Sequence, residues 1–134
     1  MTWPALHVSQ SIEAVPQEVI AFAADPRNLP SWAAGLSTGI RHEEGRWFAD
    51  SPMGRVQITF TGDTAAGVLD HDVTLPDGTV VHNPLRVLRN DAGSEVAFTL
   101  YRRPGMTEDM LFSDAQMVRD DLARLRTLIE ARHP

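Results

Sequence analysis

The C-terminal part of the chain, from Thr107 onward, predicts one long α-helix with an unusual apolar face. Apolar residues recur at alternating spacings of four and three, which place them on one side of a helix: Leu111, Ala115, Val118, Leu122, Leu125 and Ile129. Asp114 and Asp121 fall between this stripe and a flank formed by Met110 and Met117. A carboxylate is costly to bury unless it is paired or hydrogen-bonded. The helix is therefore expected to cover a polar-lined cavity rather than a plain apolar core.

Composition narrows the classes of function. The 134 residues are expected to form one domain, residues 1–134, and the net charge of −6 argues against binding to nucleic acid or to an anionic membrane. The absence of cysteine excludes thiolate nucleophiles and cysteine metal sites, and the absence of lysine excludes Schiff-base chemistry. No apolar run or leader-like segment is found, so we expect a cytoplasmic monomer or homodimer without membrane insertion.

Before the long helix, the chain predicts one strand, two short helices and about six further strands. The first strand covers 5–13, a short helix begins at Pro16 and ends at Asp25-Pro26, and 29–32 begins a second short helix or a turn. Alternating apolar residues and turn signals predict the other strands at 38–43, 46–50, 56–61, 68–75, 79–89 and 95–102. Pro84 interrupts one of them, which indicates an edge or a bulge. This order predicts an α+β protein in which the long helix covers one face of an antiparallel sheet.

The same order resembles the helix-grip fold of the START-like, or SRPBCC, superfamily, which includes polyketide cyclase/dehydrase and lipid-transport families. The resemblance is carried by 11–16 entering the first helix, Asp25-Pro26 to Trp32 leaving it, and 95–106 before the last helix. It extends over nearly the whole chain and is nearest to an uncharacterised bacterial subgroup. It implies a curved antiparallel sheet of about seven strands (β-α-α-β6-α) wrapped around the C-terminal helix, with a cavity between them.

The resemblance also implies a function. Members hold apolar or aromatic molecules without an obligatory cofactor, so the chain is expected to bind a small hydrophobic or aromatic molecule, lipid- or polyketide-like. One alternative is a cyclase/dehydratase-like enzyme that uses His, Asp and Arg side chains of the pocket for acid–base catalysis. Another is a protein-partner module with a filled core and an exposed apolar patch. Tyr101, the only tyrosine, is expected to face away from the pocket, which weakens the cyclase interpretation.

Two residues are candidates for catalysis. His71 shares a strand face with Leu69, Val73 and Leu75, so an inward imidazole could act as a general acid or base. Alternatively it is a structural histidine, bonded to a backbone carbonyl or to a helix aspartate. Asp114, near the start of the helix, could be a pocket acid.

Both helix aspartates have a structural alternative, which is an ion pair with an arginine of the sheet. Arg86 and Arg102 are the expected partners, and Asp121, deeper in the stripe, suits such an anchor better than Asp114 does.

The residues expected to contact a ligand combine these polar groups with aromatic and methionine side chains. They are Trp32, Trp47, Met53, Phe60, His71, Phe98, Arg102, Met106, Met110, Asp114 and Met117. Arg102 is included because it continues the strand face of Phe98. Any one of the apolar members could instead be ordinary core, and His82, Asn83 and Arg86 could be polar groups of the rim. The five histidines, His133 included, have no metal-binding spacing, and the chain lacks a glycine-rich phosphate loop, so no metal or cofactor is expected.

Overall fold

The structure, a computed structural model, describes residues 1–132, so His133 lies outside the described residues. Its three α-helices are α1 (Pro16–Ala23), α2 (Leu29–Trp32) and α3 (Glu108–Glu130), and short 3₁₀ turns lie at Pro26–Asn28, Ala34–Leu36 and Thr64–Ala66. Within residues 1–132, no helix has both the length and the apolar character needed to cross a membrane.

Eight antiparallel strands form two sheets. The strands are β1 (Ala5–Ile12), β2 (Ile40–Glu43), β3 (Arg46–Ser51), β4 (Gly54–Phe60), β5 (His71–Thr74), β6 (Val80–Asn83), β7 (Leu85–Asn90) and β8 (Gly93–Tyr101). One sheet has the order β1-β8-β7 and the other the order β2-β3-β4-β5-β6. Together with the long helix this is the predicted α+β helix-grip architecture.

The strand count is eight rather than about seven because Pro84 divides the strand predicted at 79–89. Proline has no N–H to donate to a sheet ladder. The Pro84 carbonyl instead accepts a hydrogen bond from the backbone N–H of Thr99 at 3.0 Å. β6, before the proline, pairs with β5, whereas β7, after it, pairs with β8. The chain thus passes from one sheet to the other at this residue, which joins the two sheets.

A buried carboxylate fixes this junction. Asp70, which is 8% exposed, accepts hydrogen bonds from the Leu85 backbone N–H at 3.0 Å and from Arg86 Nε and Nη2 at 2.9 and 2.8 Å. The neighbouring Leu69 N–H donates to the Leu85 carbonyl at 2.8 Å. The prediction that Arg86 pairs with a helix aspartate is therefore wrong, because Asp70 already occupies its guanidinium.

The long helix begins and is buried as its sequence predicts. The Thr107 side chain accepts a hydrogen bond from the Met110 N–H at 3.1 Å, which is an N-cap. The buried face consists of Leu111, Ala115, Leu122, Leu125 and Ile129. α3 packs mainly against β1 and β8, and near its end the Glu130 carboxylate accepts the Glu13 N–H at 2.9 Å. These contacts hold the helix across the sheet.

Candidate functional site

A cavity of about 480 Å³ lies under the middle of α3. This volume falls within the range of roughly 300–1,000 Å³ that is usual for small-molecule sites. The sheet contributes an apolar wall that includes Val56, Ile58, Phe60, Val73, Leu85, Phe98 and Leu100. The opposite wall comes from α3, and the chain from Leu29 to Leu36 and the turn at 51–53 complete the enclosure.

Strand alternation explains why these side chains meet. Side chains two residues apart on a strand point to the same face of a sheet. Ile58 and Phe60 of β4 therefore project from one face, and so do Phe98 and Leu100 of β8. The curvature of the two joined sheets brings both pairs to the cavity.

His71 lies in this wall between two aromatic rings. Its ring centroid is 5.9 Å from that of Phe60 and 6.2 Å from that of Phe98. Nδ1 is 3.0 Å from the Leu69 carbonyl oxygen, which can only accept, so Nδ1 carries the proton. Burial lowers the pKa of the imidazole and favours its neutral form. In the described part of the chain Nε2 has no hydrogen-bond partner, so the ring retains one free acceptor.

Asp121 anchors α3, though not through the sheet. Its Oδ1 accepts hydrogen bonds from the Ala34 backbone N–H at 3.1 Å and from Arg124 Nη1 at 3.4 Å. The side chain also lines the cavity and is 19% exposed. Burial raises the pKa of this carboxyl, and the Ala34 N–H and Arg124 only partly oppose that effect. The predicted anchoring role fits this geometry, but the partners are a 3₁₀ turn and the helix itself.

Asp114 is the less constrained carboxylate. It lines the cavity two helical turns before Asp121, so about 10.5 Å of helix separates the two. Among residues 1–132 it makes no hydrogen bond and no ion pair within 4.0 Å. Asp114 is an exposed residue, but partial desolvation of its carboxyl raises its pKa, and the charge of Arg103 opposes this only in part. The predicted pairing of Asp114 with Arg86 or Arg102 is wrong.

Arg102 does not reach the cavity, contrary to prediction. β8 ends at Tyr101, so the alternation that was extended to Arg102 has already stopped. Its Nε donates to the Met106 carbonyl at 3.0 Å, and Nη1 lies 3.8 Å from the Glu108 carboxylate. Arg102 therefore shapes the loop before α3.

The other residues predicted to contact a ligand divide into two groups. Besides His71 and Asp114, those that line the cavity are Trp32, Met53, Phe60, Phe98 and Met117. Trp47, Met106 and Met110 do not line it. Trp47 stacks on His42 with ring centroids 4.5 Å apart, the Met106 sulfur accepts the Arg103 N–H at 3.4 Å, and Met110 is half exposed.

Several cavity residues were missed by sequence reasoning. Ile58, Val73 and Leu100 share strand faces with residues that were chosen, so alternation alone could have found them. Asn83 was considered only as a rim group, yet it lines the cavity. The stretch from Ala33 to Leu36 has no periodicity and gave no signal.

Trp32 lines the cavity and has a buried indole N–H that is unpaired within residues 1–132. The side chain is 5% exposed and lines the cavity, and its indole Nε1 has no hydrogen-bond partner in the part of the chain that the structure describes. Buried polar groups without a partner are rare in folded proteins. The described residues also contain no group of three or more His, Asp or Glu side chains that could hold a metal ion.

Comparison with solved structures supports the fold. The protein XoxI from Bacillus cereus is similar over 97% of this chain and 99% of its own, with 13% identity and a TM-score of 0.74. Ara h 8.0201, which has a START/SRPBCC-type fold, is similar over 96% of this chain and 98% of its own, with 14% identity and a TM-score of 0.67. At such low identity the likeness shows the helix-grip fold alone.

A third similar structure is DynU16. DynU16, described as a protein in the dynemicin biosynthetic locus, is 17% identical with a TM-score of 0.71. The match covers 94% of this chain but only 47% of DynU16. No protein-family model and no curated protein matches the sequence.

Proposed function

We propose that this chain is a START-like helix-grip protein that binds a small hydrophobic or aromatic molecule between its sheet and α3. The observation that carries the proposal is the cavity of about 480 Å³ with predominantly apolar walls. Sites for small molecules are typically concave and apolar, with a few polar groups that orient the ligand. His71 and Asp114 are such polar groups here. An open cavity does not match the filled core expected of a protein-partner module.

The neutral fluorophore N-phenyl-1-naphthylamine tests this proposal. We expect saturable binding of one molecule per chain with enhanced fluorescence, because the dye moves from water to an apolar wall. In ¹³C–¹H NMR spectra the methyl signals of Ile58, Val73 and Leu100 should shift. Those of Leu88, which is 51% exposed and outside the cavity, should stay in place. Binding that shifts only Leu88, or no binding at all, would contradict the proposal.

A second candidate, cyclase/dehydratase-like catalysis, is favoured by one specific observation. His71 is held neutral with a free Nε2 on the sheet wall of the cavity, and Asp114, unpaired among residues 1–132, lies on the opposite wall, formed by α3. A neutral imidazole can take a proton from the carbon next to a bound carbonyl group. The resulting carbanion would attack a second carbonyl of the same substrate, and the imidazolium would return the proton to the alkoxide. His71 would then take a second proton from the same carbon as the hydroxide leaves, and the two combine as water.

Proton abstraction can be tested without the natural substrate. We expect the protein in D₂O to accelerate deuterium exchange into the methyl group of 2-acetylnaphthalene, followed by ¹H NMR. His71→Phe should lower the rate of protein-catalysed exchange at least about 100-fold, which is the size of effect usual for a general base. His42→Phe is the matched control, because His42 is exposed and stacks on Trp47 outside the cavity. Equal exchange in the two variants would rule out catalysis by His71 and leave the binding proposal intact.

A further inference from the structure

The charge inside the cavity has one sign. Asp114 and Asp121 are the charged residues among its lining, and no arginine in the part of the chain described by the structure lines it. His71 is held neutral, and the sequence has no lysine. A carboxylate or phosphate group on a ligand would therefore meet like charges and no cation. Like charges at close range disfavour binding, whereas a cation is attracted.

Asp114 is the carboxylate available to a ligand. Asp121 already accepts the Ala34 N–H and a hydrogen bond from Arg124, whereas Asp114 has no such partner within residues 1–132. Arg103 is the positive charge that acts on Asp114, but it does not line the cavity. Its charge lowers the pKa of Asp114 by less than desolvation raises it.

Trp32 supplies an aromatic surface to the cavity. The residue lines the cavity, whereas its indole Nε1 is buried and inaccessible from the open space. The ligand chemistry that suits both residues has a donor or positive charge at Asp114 and an apolar or aromatic face at Trp32. The remaining walls require an apolar body.

From this arrangement we infer that the cavity selects amine-bearing aromatic or aliphatic ligands, whose protonated nitrogen pairs with Asp114, and discriminates against fatty acids and other anions. The inference rests on the proposed function and further specifies the charge of the ligand that the cavity prefers. An ammonium group can donate hydrogen bonds to a carboxylate, and such charge-assisted bonds are stronger than neutral ones.

Three naphthalene compounds of similar shape test the inference: 2-naphthylmethylamine, 2-naphthalenemethanol and 2-naphthoate. Each competes with N-phenyl-1-naphthylamine at neutral pH, and the inhibition constants are compared. We expect the amine to bind at least about tenfold more tightly than the carboxylate, with the alcohol between them. The preference should shrink in high salt, because Asp114 is exposed to solvent at the cavity.

Variants of Asp114 identify the group responsible. Asp114→Asn should lower the ratio of amine to alcohol affinity about fivefold, and Asp114→Arg should reverse the order of amine and carboxylate. Asp120→Asn is the matched control, because Asp120 is exposed, bonds to Gln116 and lies outside the cavity. Thermal unfolding of each variant establishes that it is folded.

The outcomes separate this inference from the proposed function. If the neutral dye binds but the carboxylate competes as well as the amine, the charge preference is wrong and the binding proposal stands. The assignment to Asp114 is likewise wrong, with dye binding unaffected, if Asp120→Asn changes the amine-to-alcohol ratio as much as Asp114→Asn does. If the neutral dye itself does not bind, the proposed function fails and the inference fails with it.

Discussion

Asp70→Ala is expected to lower the free energy of unfolding by about 2 kcal/mol, the size usual when a buried acceptor is removed and its backbone donor is left unsatisfied. The carboxylate is buried and accepts three hydrogen bonds at the junction of the two sheets. Its removal leaves the Leu85 N–H without an acceptor in a residue that is 2% exposed. Urea unfolding followed by circular dichroism measures the change.

The control for this prediction lies two residues further along the chain. Asp72 pairs with His82 at 2.6 Å, and half of the His82 side chain is exposed. Exposed pairs contribute little, so Asp72→Ala should change the free energy of unfolding by less than about 1 kcal/mol. If the two variants lose equal stability, the junction does not depend on Asp70.

Acid should reduce the effect of Asp70→Ala. The Arg86 guanidinium holds the pKa of Asp70 below its ordinary value of 3.8. A carboxyl whose pKa is lower in the folded state stabilises the fold fully above its unfolded pKa. That contribution disappears as the pH falls through the folded pKa, so the difference between wild type and variant should narrow only below about pH 4.

Local patterns predicted the elements of this fold well. The four-and-three spacing and Thr107 gave α3 and its N-cap, since both depend on residues within one or two turns. Alternation gave the strands and placed Phe60, His71 and Phe98 on the cavity side. These signals depend only on residues near one another in the sequence, and the tertiary contacts of the fold favour the same helix and strands.

Partner choice between distant residues was not predictable. The pairing of Asp70 with Arg86 joins positions 16 residues apart and depends on the change of sheet at Pro84. Asp121 accepts a hydrogen bond from the Ala34 backbone, 87 residues away. Every residue except proline has a backbone N–H, so the sequence does not indicate which one will be the donor. The prediction that Arg102 faces the cavity was wrong because its strand ends one residue earlier than predicted. Ion-pair partners follow from the assembled fold rather than from residue type.

Val118→Trp is expected to weaken binding of N-phenyl-1-naphthylamine by at least about 30-fold, equivalent to about 2 kcal/mol of lost apolar burial. Val118 lines the cavity on the face of α3 that carries Asp114 and Asp121. An indole there would occupy space that the dye needs. Because the space it fills is an apolar cavity, the free energy of unfolding should fall little or rise.

Arg119→Trp is the matched control for this loss of volume. Arg119 follows Val118 directly, is exposed, and lies about 100° further around the helix, away from the cavity lining. Both variants gain the same indole in the same helix, so they differ mainly in whether that ring enters the cavity. Fluorescence titration should show dye affinity close to wild type for Arg119→Trp and strongly reduced affinity for Val118→Trp. Equal affinity in the two variants would mean that the dye binds somewhere other than under α3.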